Sequence, residues 1–374
     1  MNILKKKKGA IEVQLNWVFI LVVGAVILIF FVFLSKGITK SSEVKTSEKI
    51  LSNVDAILAG TSTTSKSSNL IEIPRTDLTY TCFAGNACSP NYGCTSEFEY
   101  TKTGKTIDMS SRVVFSPETI NSDFLILWTQ DWSIPFRVTN FMFLSRPDIK
   151  YILVAQSDNA LANKVQELME ENEFLKKNII RSNDAVTLSS LNINQNDYWI
   201  RIIYFNPASS SSTTPSTPPA APATIKAGHV DSIVVSESVS APESGNVAFH
   251  DFKSVQSYPQ QTYPFIDVLS LVGAVFSEVP EHYNCNMNKA LFRYHKVHDV
   301  IKERTLSYLI PETNPTTNPV KGNCNYFYTA ITFNEIIESP HLLNQNFINY
   351  LENLKQELEA QNTNALLGSC PRLY

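Results

Sequence analysis

Glycine is scarce in this chain, at 12 of 374 residues. That argues against an enzyme built on several glycine-rich phosphate loops, whose tight turns need residues without a Cβ. The sequence also lacks G-x-S-x-G, H-E-x-x-H, G-x-x-x-x-G-K-[ST] and G-x-G-x-x-G, so no motif points to a nucleophile elbow, a zincin, a Walker A loop or a dinucleotide site. No cysteine precedes Cys82, and no charged side chain occurs from Leu15 to Leu34. Charged residues make up only 18% against 43% apolar, which excludes a largely disordered chain, and 19 Pro with so few Gly exclude collagen. The formal charge is -4. Without the four lysines and one glutamate of the first twelve residues it becomes -7. Such an acidic body is a poor match for nucleic acid, and no cofactor is expected.

What the sequence does have is placed unevenly. Leu15–Leu34, "LNWVFILVVGAVILIFFVFL", would span about 30 Å as a helix, one bilayer core. The rival is a cleaved secretory signal, whose apolar part is usually about 7–15 residues and ends at small residues. Here the run ends in "FFVFLSK", so a retained transmembrane helix with membrane lipid as partner is expected. Trp17 near one end suits the interfacial belt. Lys5–Lys8 form a dense block before the run, while Lys36, Lys40 and Lys45 are spread out after it. The positive-inside rule then puts the N-terminus in the cytoplasm and residues 37–374 outside.

"KKKKGAIEV" running straight into the apolar segment resembles the N-terminus of archaeal type IV pilin-like proteins. By that resemblance a processing cut would fall between Gly9 and Ala10. Glu12 would then stand third, whereas the pilin glutamate usually stands fifth. The whole chain is also similar to uncharacterised single-pass surface proteins of archaea, a likeness that implies no activity.

Beyond the membrane run, Val44, Ile50, Leu51, Val54, Ile57 and Leu58 recur at helical spacing, and Gly60 is a plausible stop. The spacing predicts one helix over about 13–59, membrane-buried first and amphipathic second. Both a stalk and a pilin share that design. The expected organisation is a basic tip (1–14), the transmembrane helix (15–34), a stalk helix (35–60) and a cysteine-containing β region (70–116). An α/β region (117–206), a Pro/Ser/Thr-rich linker (207–226), further strands (227–263) and a helical subdomain (264–374) complete it. In the β region the short runs "IEI", "LTYTC", "FEYT" and "RVVFS" read as strands. "FLILW" (124–128) and "YILVA" (151–155) read as strands buried on both faces, and "YWIRIIYF" (198–205) as another strand. Ser157 or Asp158 can cap a helix bearing Leu161, Val165, Leu168 and Met169. Asn284–Leu309, 326–337 and a segment starting at Ser339–Pro340 carry helical stripes. The fold class is therefore α/β (mixed α+β), an ectodomain with a C-terminal helical subdomain on one N-terminal transmembrane helix.

All six cysteines, Cys82, Cys88, Cys94, Cys285, Cys324 and Cys370, fall on the expected outer side, as a disulfide set would. Three precede residue 95 and three follow 284, so if all pair, at least one bridge joins the two ends of the ectodomain. An up-down bundle of the last three helices would bring Cys324 to Cys370. Cys285 would then be free or paired with one of the first three, although the 311–323 connection is long enough to bring Cys324 to Cys285 instead. His282, Cys285, His295 and His298 invite a zinc reading. Cys285 and His295, however, are ten residues apart, about 15 Å along a helix, too far to share an ion with ligands at ~2.0–2.3 Å. No metal ligand and no catalytic residue is assigned. "WTQDW", with Trp128, Asp131 and Trp132, is the one pocket-like spot, at the end of an expected central strand where α/β sheets bind ligands; ordinary core aromatics explain the same residues and are the preferred reading. A structural or binding component of the cell envelope is the expected function, assembling with itself or with other envelope proteins. A pilin-like filament subunit and a ligand-binding or hydrolytic ectodomain are the alternatives.

Overall fold

The computed structural model describes residues 8–62, 64, 66–83, 94–101, 103–183, 199–206, 230–238, 243–251, 262–309 and 345–374. The linker 207–226, the helix expected over 326–337 and the start expected at Ser339–Pro340 lie outside them. Helix α1 runs unbroken from Lys8 to Thr61, longer at both ends than the sequence pattern suggested.

Strands β1 (Ser67–Phe83), β2 (Thr95–Tyr100), β3 (Lys105–Asp108), β4 (Val113–Phe115), β5 (Thr119–Ser133) and β6 (Arg137–Ser145) form the first sheet, in the order β3-β2-β1-β5-β6-β4. All its pairs are antiparallel except β4 with β6. "IEI" and "LTYTC" are one strand, not two. Pro74 between them cannot donate to a ladder, and the register with β5 shifts between Glu72 and Thr76, as proline at a bulge requires. Seventeen residues long, β1 pairs along much of its length with β5, so the expected boundary between 116 and 117 cuts through one sheet.

The second sheet follows from β7 (Ile149–Val154), β8 (Ile179–Ser182), β9 (Trp199–Asn206), β10 (Val230–Glu237), β11 (Gly245–Asp251) and β12 (Thr262–Phe265), in the order β12-β11-β10-β9-β7-β8. β10, β9, β7 and β8 are mutually parallel, and β11 and β12 close one side antiparallel. β9 is buried at every residue from Ile200 to Phe205, Arg201 included, as a strand covered on both faces is. Helix α2 (Ala160–Glu170) joins β7 to β8, a short strand the sequence pattern did not mark; the strand expected to follow the helix, 198–205, is β9. Its N-cap is Asn159, one residue beyond the expected candidates, with Oδ1 accepting from the Ala162 amide at 2.8 Å.

Helices α3 (Val268–Phe276), α4 (Pro280–Leu309) and α5 (Gln345–Leu367) do not make a separate subdomain. Their apolar stripes enter one cluster with Trp128 and Phe143 of the first sheet and Leu153, Ile203 and Ile233 of the second. An isolated set of three helices would leave those stripes half-covered; packing them between two sheets buries both sides. Gly273 lets α3 approach β4, because a Cβ there would lie 2.8 Å from the Phe115 ring. The described residues thus form a mixed α+β fold of two mixed sheets, five α-helices and a 3₁₀ turn.

Candidate functional site

Two regions stand apart from ordinary core: the ends of α1, and the face of α4 against the first sheet. In the apolar part of α1 the described side chains are 18–33, and all are exposed, Phe19 at 66%, Leu28 at 65% and Phe33 at 71%. Among the described residues no helix is long and apolar enough to cross a membrane. The other end is fastened. Leu51, Val54 and Leu58 are buried in one cluster with Ile71, Ile73, Leu125 and Leu127 of the first sheet. Glu48 pairs with Lys105 at 3.0 Å and Asp55 with Arg112 at 2.8 Å. At 54 residues the helix measures about 81 Å. The expected free stalk of 35–60 is thus seated in the domain over its last turns. The helix passes through Gly9, Ala10 and Glu12 without a break.

On α4, His282, Asn286, Lys289 and Arg293 recur every three or four residues and so share one face, with Cys285 at its edge. Cys285 is bonded to Cys82 of β1, 203 residues away. That bridge joins the early and late cysteine groups, and it realises the pairing of Cys285 with one of the first three cysteines. Cys94 and Cys370 are disulfide-bonded as well, while Cys88 and Cys324 lie outside the described residues. Beside the Cys82–Cys285 bridge, Asn286 Oδ1 accepts from the Val114 amide at 3.0 Å, and its Nδ2 donates to the His282 carbonyl at 2.8 Å and the Tyr80 hydroxyl at 2.9 Å. Ser96 stands directly opposite Cys82 in the β1–β2 pairing. Lys289 Nζ meets Ser96 Oγ and reaches the Met109 and Arg112 carbonyls at 3.4 and 3.3 Å.

All of these groups are enclosed: Tyr80 and Asn286 are 0% exposed, Ser96 2% and Lys289 5%. Burial pushes Lys289 down to about 7, with Arg293 adding to the effect and Asp108 opposing it. It pushes Tyr80 up to about 12, and His282 down to about 4 with help from Lys289. A serine beside a neutral lysine is a nucleophile–base pair in some hydrolases. Here both partners are sealed between α4 and the sheet, where a substrate has no approach, so the arrangement serves as a polar clamp. Sequence reasoning passed over it because the apolar stripe of the same helix drew attention; the polar stripe at the same periodicity was the available signal.

The residues singled out from the sequence are not brought together. Trp128 and Trp132 are 2% and 1% exposed. Trp128 packs on Phe143 and Phe276, and Trp132 stacks on Phe141. The Trp132 indole donates to Asp267 at 3.0 Å, and Asp131 pairs with Arg137 at 3.0 Å. Since β5 lies in the largely antiparallel sheet, the rule for ligands beyond parallel strand ends does not reach this spot. Asp267 was missed, although D-x-x-S announces a capping box. It caps α3 with Ser270, and burial raises its carboxyl above the usual range against the lowering hydrogen bonds of Ser270 and Trp132. His298 bonds the Tyr350 hydroxyl at 2.9 Å, and among the described residues no group of three His, Cys, Asp or Glu is placed to hold a metal ion.

A small cleft of about 30 Å3, room for one or two waters, opens at the starts of β7 and β9 between Arg146, Arg201, Trp199 and Asp231. Its cations already have partners. Arg146 binds Asp148 and lies 4.8 Å from the Trp199 ring. Arg201 pairs with Asp231 and donates to the Ala274 carbonyl at 2.9 Å and to that of Ser277, closing the C-terminus of α3. No protein-family model matches the chain, and no curated protein or solved structure does either.

Proposed function

We propose that the chain is a membrane-anchored, extracytoplasmic component of the cell envelope with a structural or binding role. The observation that carries this reading is α1, a single helix whose exposed apolar part continues without a break into turns packed on a sheet. An apolar helix surface of that extent is stable only against lipid or other apolar helices. The fastening at Leu51, Val54 and Leu58 holds the domain rigidly to whatever buries the other end. The lysine block puts the domain on the outer side, where disulfides persist; the Cys82–Cys285 bridge fits that side.

Alkaline extraction of membranes from cells making the full chain tests the anchor. The wild type should stay in the pellet. Val26→Asp with Ile29→Asp should move it to the supernatant, since each acid at a helix centre costs about 2.5–3.5 kcal/mol on insertion. Wild-type protein in the supernatant would sink the reading. A pilin-like filament subunit is the second reading, favoured by the same unbroken passage of α1 from apolar surface to packed turns. It requires a mature N-terminus at Ala10, which N-terminal sequencing reads directly.

A further inference from the structure

The contacts that seat α1 follow one another along the helix. Glu48 pairs at 3.0 Å with Lys105, the first residue of β3. Two turns further on, Asp55 holds Arg112 of the turn after β3 at 2.8 Å. Just past the last turn, the Ser62 and Thr64 carbonyls accept from Asn140 Nδ2 of β6 at 2.9 and 3.1 Å, and Thr64 accepts also from Thr129 Oγ1 of β5 at 3.3 Å. Leu51, Val54 and Leu58 recur on one helix face between these points and are buried there.

The order of these contacts sets heights along the helix axis. From Glu48 to Ser62 the axis covers about 21 Å, so β3 and the Asn140 part of β6 lie at levels that differ by that amount. In the other direction α1 continues unbroken to Lys8. The apolar run ends at Leu34, again about 21 Å from Glu48. Because the seat is pinned at both ends, a slip of ~1 Å at one of them turns the domain by only about 3°.

We propose that α1 is a rigid stand-off, which holds the domain clear of the bilayer with the β2–β3 end facing the lipid and the Asn140 part of β6 facing away. The proposal rests on the membrane reading of α1. With a headgroup layer of about 5–7 Å, β3 stands roughly 15 Å above the lipid surface and the Asn140 level roughly 36 Å above it. The lipid-facing end is then the hairpin that turns through Gly104, whose φ of 64° suits a residue without a Cβ. A partner arriving from outside meets the level of Asn140 and Thr129 before it meets β3.

The experiment places the full chain, with methyl-labelled Ile, Val and Met, in lipid nanodiscs that carry a gadolinium chelate on a small share of the headgroups. Ile107 reports on β3, and Val138 and Met142 flank Asn140 in β6. The gadolinium should broaden the Ile107 methyl at least about tenfold more than the other two, as the two heights dictate. Removing residues 38–44, two helical turns, should lower the domain by about 10 Å. Broadening at Ile107 should then rise severalfold while the order of the three methyls stays the same. Equal or inverted broadening in discs that hold the wild type would overturn the orientation, and an Ile107 signal indifferent to the deletion would overturn the rigid spacing. Wild-type protein that elutes apart from the discs would sink the anchor itself, and the stand-off with it.

Discussion

Breaking the Cys82–Cys285 bridge is a direct probe of how α4 is held. The bond closes a loop of 203 residues, and the chain-entropy relation assigns such a loop about 5 kcal/mol at 25 °C. The crosslinks at Cys94 and Cys370 already restrict the unfolded chain, so about 3–5 kcal/mol is the expected loss in Cys82→Ala/Cys285→Ala. Urea unfolding followed by circular dichroism measures it. Because the effect lies mainly in the unfolded state, the slope with urea should rise as the freed chain expands, while the native spectrum stays the same. A loss under about 1 kcal/mol with an unchanged slope would refute this reasoning. The polar clamp and the apolar contacts of α4 would then hold the helix unaided.

Leu58→Ala removes a fully buried side chain of α1 and should cost about 2–5 kcal/mol; loss of slow amide exchange at 51–58 ahead of the sheet would show that the seat opens first. Gly273→Ala should cost about 1–3 kcal/mol by driving a methyl into the Phe115 ring, readable as a lower urea midpoint. For His298, burial holds the folded value down to about 4 from an ordinary 6.5. Between those values the unfolded chain binds the extra proton, so stability falls as pH drops through that window. His298→Gln should flatten the fall measured by urea midpoints at pH 6.5 and 4.5.

Much of the architecture was legible in the residues, and the reasons for the misses are specific. β7 and β9 announce themselves by largely apolar runs because both faces are buried, and α2 by the change of period after β7, whereas the four residues of β8 gave no pattern of their own. β1 did not read as one strand, since Pro74 breaks the local pattern and only pairing with a distant β5 carries the backbone across it. The separateness of the helical end was misjudged because an amphipathic stripe states that a helix is covered without stating by what. α4 carries two stripes, and the polar one was passed over: Asn286 and Lys289 look like surface residues until Tyr80 and Ser96, about 200 positions away in sequence, meet them. Cysteine counting anticipated a bridge between the early and late cysteine groups and could not choose Cys82, because that choice depends on which strand α4 crosses.

The central claim is that an external domain is held at the membrane by α1, and labelling of intact cells tests it most directly. A membrane-impermeant amine reagent is applied to cells producing the full chain, and the peptide carrying the exposed Lys355 of α5 is quantified before and after lysis. The account predicts full labelling of Lys355 in intact cells, with the protein remaining in the membrane fraction. Labelling of Lys355 only after lysis would place the domain inside and contradict it.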